Sequence, residues 1–120
     1  GKQFGVPLTG AAGHIEKLLR DIQQALYDRA KKFRDERIVS VSTLDEFKSL
    51  FPVEKDDEVG GEPLKFVYAH WDGTRETEDR IAAETKATIR CIPFGRKKEA
   101  GKCVLTGKPS EGRVVFARAY

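Results

Sequence analysis

The sequence predicts an α+β fold, a two-layer sandwich in which a mixed β-sheet carries two helices on one face. Two observations predict it: short runs of β-branched and aromatic residues alternate with helical segments, and one long helical segment precedes them all. Two β–α crossovers imply a mixed sheet with both helices on the same face. A chain of 120 residues has the length of one domain, which can fold without a metal or a disulfide.

The first predicted element is a long helix from residue 11 to about residue 37. Its apolar residues recur at three- and four-residue spacing along one stripe: Ile15, Leu18, Leu19, Ile22, Leu26, Ala30 and Phe33. We expect this stripe to pack against another part of the protein. Residues 1–10 contain Gly and Pro without periodicity, which is typical of a connector from a preceding domain.

Strand and helix signals then alternate up to the middle of the chain. The segment "RIVSVS" predicts a strand, and "STLDEFKSLFP" predicts a helix with a capping box between Thr43 and Glu46 and a stop at Pro52. Residues 53–64 are acidic, contain Gly and Pro and lack a core pattern, so we expect a mobile loop there. The aromatic segment "KFVYAHW" predicts the next strand, with Phe66 and Tyr68 expected in the core.

The second half of the chain predicts one more helix and three strands. Asp72-Gly73 forms a turn, and Thr74 is placed to cap a helix over residues 75–85. The strands that follow are "ATIRCIP", "CVLTG" and "RVVFARAY", separated by the basic loop "FGRKKEAGK" and the turn residues "GKPSEG".

Composition limits the classes of protein to which the chain can belong. The two cysteines are too few for a disulfide framework, which favours a reduced, cytoplasmic setting. No apolar run reaches membrane length. The sequence contains no methionine, so we expect a piece of a longer polypeptide whose function belongs to the whole.

Residue chemistry alone predicts no catalytic centre. Neither Cys91 nor Cys103 has the histidine context that a nucleophilic cysteine requires, and both are expected to be packed thiols. The loop residues Arg96, Lys97, Lys98 and Lys102 could contact a nucleic-acid backbone, or could simply form a solvated charged face.

Longer segments carry a resemblance to a known family. The segments "FVYAHWDGTRETEDRIAAETKATIRCIPF", "GKCVLTGKPSEGRVVFARAY" and "IQQALYDRAKKFRDE" resemble the C-terminal domain of prolyl-tRNA synthetase of the archaeal or eukaryote-like type, which some bacteria also use. The resemblance implies a fold like that of the C-terminal domain of translation initiation factor three, with two helices on a four-stranded mixed sheet. Residues 1–10 would be the linker from the anticodon-binding domain, and residues 11–120 the C-terminal domain.

The resemblance also implies a function for the longer protein. The parent would be a homodimeric class II proline–tRNA ligase that uses ATP and Mg²⁺ to form prolyl-adenylate and transfers proline to tRNA(Pro). The present chain would be noncatalytic and would brace the catalytic and anticodon-binding domains. The family's terminal tyrosine, which directs its carboxylate toward the active site, corresponds to Tyr120. The alternative is a freestanding RNA-binding module that uses the basic loop 95–102.

The resemblance implies a metal site that this chain has partly lost. Four cysteines bind zinc in many relatives, and their positions correspond to Asp72, Cys91, Cys103 and Thr106. Because only two of the four are cysteines, zinc is not expected in this chain, which would need no cofactor of its own. We expect pairing and apolar packing between the strands that carry Cys91 and Cys103 to replace the metal.

Overall fold

The computed structural model describes residues 1–52 and 65–118, which belong to two compact units. The first unit, Gly1–Glu36, contains one long helix, α1 (Ala11–Asp35). The second unit begins at Arg37 and contains the sheet and its helices. The predicted mobile loop over residues 53–64 lies outside the described residues.

Helix α1 confirms the long amphipathic helix predicted from the apolar periodicity. It begins after Gly10, whose φ of 77° lies in the left-handed region that glycine tolerates. Every residue of α1 is at least partly exposed, and the larger apolar residues of the stripe are about half exposed: Ile15, Leu19, Ile22, Leu26 and Phe33. No helix in the described ranges combines the length and hydropathy that a bilayer crossing requires.

Up to its third strand, the second unit alternates strands and helices in the predicted order; three further strands then follow where the sequence predicts two. Its elements are β1 (Ile38–Ser40), α2 (Leu44–Ser49), β2 (Phe66–His70), α3 (Arg75–Thr85), β3 (Thr88–Cys91), β4 (Gly101–Lys102), β5 (Pro109–Ser110) and β6 (Arg113–Ala117). Both helices begin where the sequence predicts. Thr43 and Glu46 form the capping box of α2, and the Thr74 hydroxyl accepts a hydrogen bond from the Thr77 N–H at the start of α3.

The main sheet has four strands in the order β1-β2-β6-β3. Strands β1 and β2 are parallel, while β6 runs antiparallel to both β2 and β3 and lies between them. This arrangement confirms the mixed four-stranded sheet. Strands β4 and β5 form a separate two-stranded ribbon.

The core fills the space between α2, α3 and one face of the sheet. Phe47 of α2 and Ile81 of α3 are fully buried together with Val67, Val114 and Phe116 of the two central strands. The rings of Phe47 and Phe116 meet edge to face, with centroids 5.1 Å apart. Each such aromatic side chain stabilises the fold by about 1.5–3 kcal/mol through burial.

Several sequence predictions are wrong in this unit. Phe66 and Tyr68 are half-buried rather than core residues, because they alternate with Val67 on β2 and therefore face away from the helices. The segment "CVLTG" is a turn rather than a strand: the two-residue strand β4 ends at Lys102, just before it. The strand with Cys91 therefore does not pair with a strand carrying Cys103; it pairs with β6.

Candidate functional site

The connection between β2 and α3 places an aspartate at the N-terminus of a helix. Gly73 adopts a φ of 82°, which allows the chain to turn sharply between Asp72 and the cap residue Thr74. The indole N–H of Trp71 donates a hydrogen bond to the carbonyl of Thr74 at 3.0 Å, which holds the turn from the other side. The Asp72 side chain is thereby fixed beside the first turn of α3.

The Asp72 carboxylate accepts hydrogen bonds from three threonines. Its Oδ1 accepts from the N–H of Thr74 at 3.1 Å and from the Thr74 hydroxyl at 2.9 Å. Its Oδ2 accepts from the hydroxyl of Thr77 at 2.8 Å and from the hydroxyl of Thr106 at 2.8 Å. We refer to Asp72, Thr77 and Thr106, with the cap residue Thr74, as the threonine–aspartate cluster.

These hydrogen bonds determine the charge state of Asp72. Partial burial acts to raise the pKa of its carboxyl group, but the hydrogen bonds from Thr77, Thr106 and Thr74 outweigh burial and lower the pKa to about 2. The carboxylate is therefore ionised at neutral pH and is stabilised by the hydrogen-bond donors of the cluster.

Thr106 reaches Asp72 from a tight turn over residues 103–108. The N–H of Gly107 donates to the carbonyl of Cys103 at 2.9 Å, and the N–H of Cys103 donates to the carbonyl of Lys108 at 2.8 Å. Gly107 supports this turn with a φ of 68°. The N–H of Val104 donates to the carbonyl of His70 at 3.0 Å, which attaches the turn to the end of β2.

The four positions expected from the family to surround a metal do not converge as a set. Asp72 and Thr106 are in direct contact, and Cys103 is buried in the same turn as Thr106. Cys91 is exposed on β3, so the expectation that it is a packed thiol is wrong, whereas buried Cys103 fits that expectation. Within residues 1–52 and 65–118, no three His, Cys, Asp or Glu side chains are grouped so that they could hold a metal ion.

The donor chemistry of these positions also does not fit zinc. Thr106 uses its hydroxyl hydrogen to bind Asp72, and a protonated hydroxyl is a poor ligand compared with a thiolate or an imidazole. The structure adds a residue that the sequence pattern did not single out, Thr77, which lies at the third position of α3 and contacts the same carboxylate oxygen. The capping pattern identified Thr74 but gave no reason to connect Thr77 with Asp72.

The structure separates the basic loop residues into two groups. The guanidinium of Arg96 donates to the carbonyl of Arg113 at 3.1 Å and packs against Gly112, so Arg96 holds the loop to β6. Lys97, Lys98 and Lys102 are exposed. Phe94 at the start of the loop is fully exposed.

The C-terminal strand is tied to the ends of both helices by Arg118. Its guanidinium donates to the carbonyl of Thr85 at 3.0 Å, to that of Phe51 at 3.0 Å and to that of Pro52 at 2.9 Å. Tyr120, the terminal residue expected to act at an active site, lies outside the described residues.

Comparison with known proteins places these features in a family. Residues 61–120 match the family model described as "Prolyl-tRNA synthetase, C-terminal". The chain is 54% identical over 106 residues to a proline–tRNA ligase of Christiangramia forsetii, a match that covers 88% of this chain and 20% of that protein. It is 50% identical over 119 residues to the proline–tRNA ligase of Bacteroides fragilis, covering 96% of this chain and 22% of that protein.

Solved structures show the same similarity. A crystal structure of prolyl-tRNA synthetase from Cryptosporidium parvum complexed with L-proline and AMP matches with a TM-score of 0.78 and 25% identity. The match covers 96% of this chain and 23% of that one. The chain thus spans about one fifth of the length of the curated relatives that it matches.

Proposed function

The chain belongs to the family of prolyl-tRNA synthetase C-terminal domains, and from this premise we propose that it is the noncatalytic C-terminal domain of a proline–tRNA ligase. The observation that carries the proposal is sequence identity of about 50% over nearly the whole chain to curated ligases, combined with the four-stranded sheet. Residues 1–10 then form the linker from an anticodon-binding domain, and residues 11–120 form the appended domain.

The chemistry of the ligase would lie elsewhere in the longer protein. The parent would bind ATP and Mg²⁺, form prolyl-adenylate, transfer proline to tRNA(Pro) and act as a cytoplasmic homodimer. The present chain would contribute no catalytic group and require no zinc. The polar side chains of the threonine–aspartate cluster support this, since they are engaged with one another in capping α3 and fixing the 103–108 turn.

We assign the domain a bracing role between the catalytic and anticodon-binding domains. The exposed apolar stripe of α1 supports this role, because contiguous apolar surface on a soluble domain is typical of a surface that contacts protein. Arg118 supports the proposed action of Tyr120, because it fixes the chain two residues before the terminus to the carbonyls that follow α2 and end α3.

Two variants of the full-length ligase test this function. Removal of residues 11–120 should lower kcat/KM for aminoacylation at least tenfold, and addition of four glycines after Tyr120 should lower it without changing the melting temperature. Four glycines inserted in the linker after Gly5 serve as the control for added length and should have little effect. Unchanged aminoacylation in both the deletion and the C-terminal extension would refute the bracing role and the role of the terminus.

A second candidate function is direct binding of RNA by the basic loop. The exposure of Lys97, Lys98 and Lys102, together with that of Phe94 in the same stretch of the chain, favours it, because lysines bind phosphates and an exposed ring can stack on a base. Arg96 does not contribute to this surface as the sequence suggests, since its guanidinium contacts the protein backbone.

The RNA-binding candidate is tested by charge reversal and by salt. If the loop binds tRNA, Lys97→Glu/Lys98→Glu should weaken binding in a gel-shift assay about tenfold or more and should reduce its salt dependence. The variant Lys2→Glu/Lys31→Glu makes the same charge change at exposed positions of the other unit and should have a smaller effect. Equal loss in both variants would indicate a general charge effect rather than a loop site.

A further inference from the structure

The threonine–aspartate cluster joins two segments that are distant in sequence. Asp72 lies just before α3 and Thr77 in its first turn, while Thr106 belongs to the 103–108 turn, 34 residues after Asp72. A single carboxylate oxygen, Oδ2 of Asp72, accepts a hydrogen bond of 2.8 Å from each segment. The cluster therefore fastens the turn to the N-terminal end of the helix.

The spacing of the cluster is that of paired ligands in a structural metal site. Four residues separate Asp72 from Thr77, and two residues separate Cys103 from Thr106. Structural zinc sites use two such pairs, each with two to four intervening residues, brought together from different segments. Cys103 is buried in the turn that carries Thr106. The positions that correspond to two ligand pairs are thus Asp72 with Thr77 and Cys103 with Thr106.

We infer that this cluster is a metal-free closure of the domain, in which hydrogen bonds centred on Asp72 fasten the segments that a four-ligand metal site would fasten. Thr77 then occupies the position that the family resemblance assigned to Cys91. Cys91 is exposed on β3 and takes no part in the closure. The inference concerns only how the domain is held together, so it stands or falls separately from the proposed role in the ligase.

The hydrogen-bond count explains why no ion is needed. A carboxylate offers about four acceptor sites, and Asp72 accepts from one N–H and three hydroxyl groups. A divalent cation would have to displace these donors while gaining neutral hydroxyl groups as ligands, which bind zinc poorly. A single buried thiol at Cys103 cannot supply the affinity that four soft ligands provide.

The hydrogen bond across the closure is tested at Thr106. Thr106→Val removes the hydroxyl at nearly constant volume and should lower the melting temperature of the chain by about 5–10 °C, since one hydrogen bond to a charged group is lost. Thr106→Ser keeps the hydroxyl and should stay within about 2 °C of the parent. If valine and serine have the same effect, or neither has any, the hydrogen bond does not close the domain.

The absence of a metal requirement is tested on the unmodified chain. Elemental analysis of protein refolded with equimolar zinc and then desalted should find less than about a tenth of an equivalent, because four soft ligands are lacking. The melting temperature should be unchanged by a chelator. Near-stoichiometric zinc, or a chelator-dependent loss of stability, would overturn the inference.

Variants that rebuild a four-ligand metal site distinguish Thr77 from Cys91 as the position of the fourth ligand. The variant Asp72→Cys/Thr77→Cys/Thr106→Cys/Cys91→Ser should bind one Co²⁺ with the visible absorption of a tetrahedral thiolate site, using Cys103 as the fourth ligand. The variant Asp72→Cys/Thr106→Cys retains Cys91 and should bind Co²⁺ at least tenfold more weakly. Equal or tighter binding by the second variant would show that the ligand pairs are assigned wrongly; if the first variant fails to fold, the comparison at Thr106 still decides the closure.

Discussion

Removal of the Arg118 side chain should destabilise the tertiary structure, because this side chain links separate elements of the fold rather than residues within one helix or strand. It follows β6 and donates hydrogen bonds to three carbonyls, those of Thr85, Phe51 and Pro52. The guanidinium carbon also lies 5.9 Å from the centre of the Phe51 ring. One side chain thus links the last strand of the sheet to the C-terminal residue of α3, whose carbonyl has no helical partner, and to the two residues that follow the C-cap of α2.

The structure allows the cost of losing Arg118 to be worked out. The bonds to Thr85 and Phe51 are part-buried, and each contributes about 1–1.5 kcal/mol; the bond to Pro52 is exposed and contributes about 0.5 kcal/mol or less. The contact with the Phe51 ring adds about 0.5 kcal/mol. Arg118→Ala should therefore reduce the free energy of unfolding by about 2.5–4 kcal/mol. Arg118→Lys should recover at most one hydrogen bond, because an ammonium lacks the planar fork that reaches separate carbonyls.

Urea denaturation followed by the fluorescence of Trp71 measures these changes. Arg90→Ala removes the same side chain from an exposed position on β3 and should change the free energy of unfolding by no more than about 0.5 kcal/mol. The role assigned to Arg118 is refuted if Arg118→Ala is as stable as Arg90→Ala, or if Arg118→Lys is as stable as the unmodified chain. In the full-length ligase, Arg118→Lys should also lower aminoacylation if the anchor positions Tyr120.

Three further predictions concern the cluster, the ribbon and the core. The pKa of Asp72 is lowered from 3.8 to about 2 on folding, so its ionised form stabilises the protein above about pH 4. This contribution disappears as the pH falls toward 2. Between pH 4 and pH 2 the parent should therefore lose about 1–2 kcal/mol more stability than Asp72→Asn. Gly101→Ala should cost about 1–3 kcal/mol, because a Cβ there would clash with the imidazole ring of buried His70. Phe47→Ala should cost about 3–5 kcal/mol, because the ring is fully buried against Phe116.

Each of these three predictions has a control variant or a result that would contradict it. Gly13→Ala places its Cβ in open space on α1 and should be neutral or slightly stabilising, so an equal loss at both glycines would contradict the clash with His70. Phe94→Ala removes a fully exposed ring and should cost less than about 0.5 kcal/mol, in contrast to Phe47→Ala. Parallel pH profiles of the parent and Asp72→Asn would contradict the role given to the Asp72 carboxylate.

Local signals in the sequence were sufficient for most of the secondary structure. The capping residues Thr43 and Thr74 lie where the helices begin, and α3 spans the predicted residues 75–85. The apolar periodicity from residue 11 predicted α1 because a helix of that length repeats its pattern many times. The segment "CVLTG" predicts a strand but forms a turn, because a short apolar run without a second period fits a strand and a turn equally well.

The candidate site could be predicted only in part, because its contacts are not local. The resemblance named Asp72 and Thr106, which are in contact in the structure, but it gave no sign that the Thr77 hydroxyl donates to the same carboxylate oxygen. The loop residue Arg96 looked as available to a ligand as Lys97, and only the folded chain shows its guanidinium on the carbonyl of Arg113. The sequence shows which chemical group each side chain carries, but the packing of distant segments determines which partner that group contacts.

The sequence by itself determined the fold class, the family and the positions of the helices, since each depends on periodicity, caps and residue identity over short windows. Only the tertiary structure decided that β6 enters between β2 and β3, which follows from burying Val114 and Phe116 beneath both helices at once. The same packing brought Thr77 and Thr106 onto one oxygen of Asp72. A contact across 34 residues depends on the path of the whole sheet, and no window of the sequence contains that path.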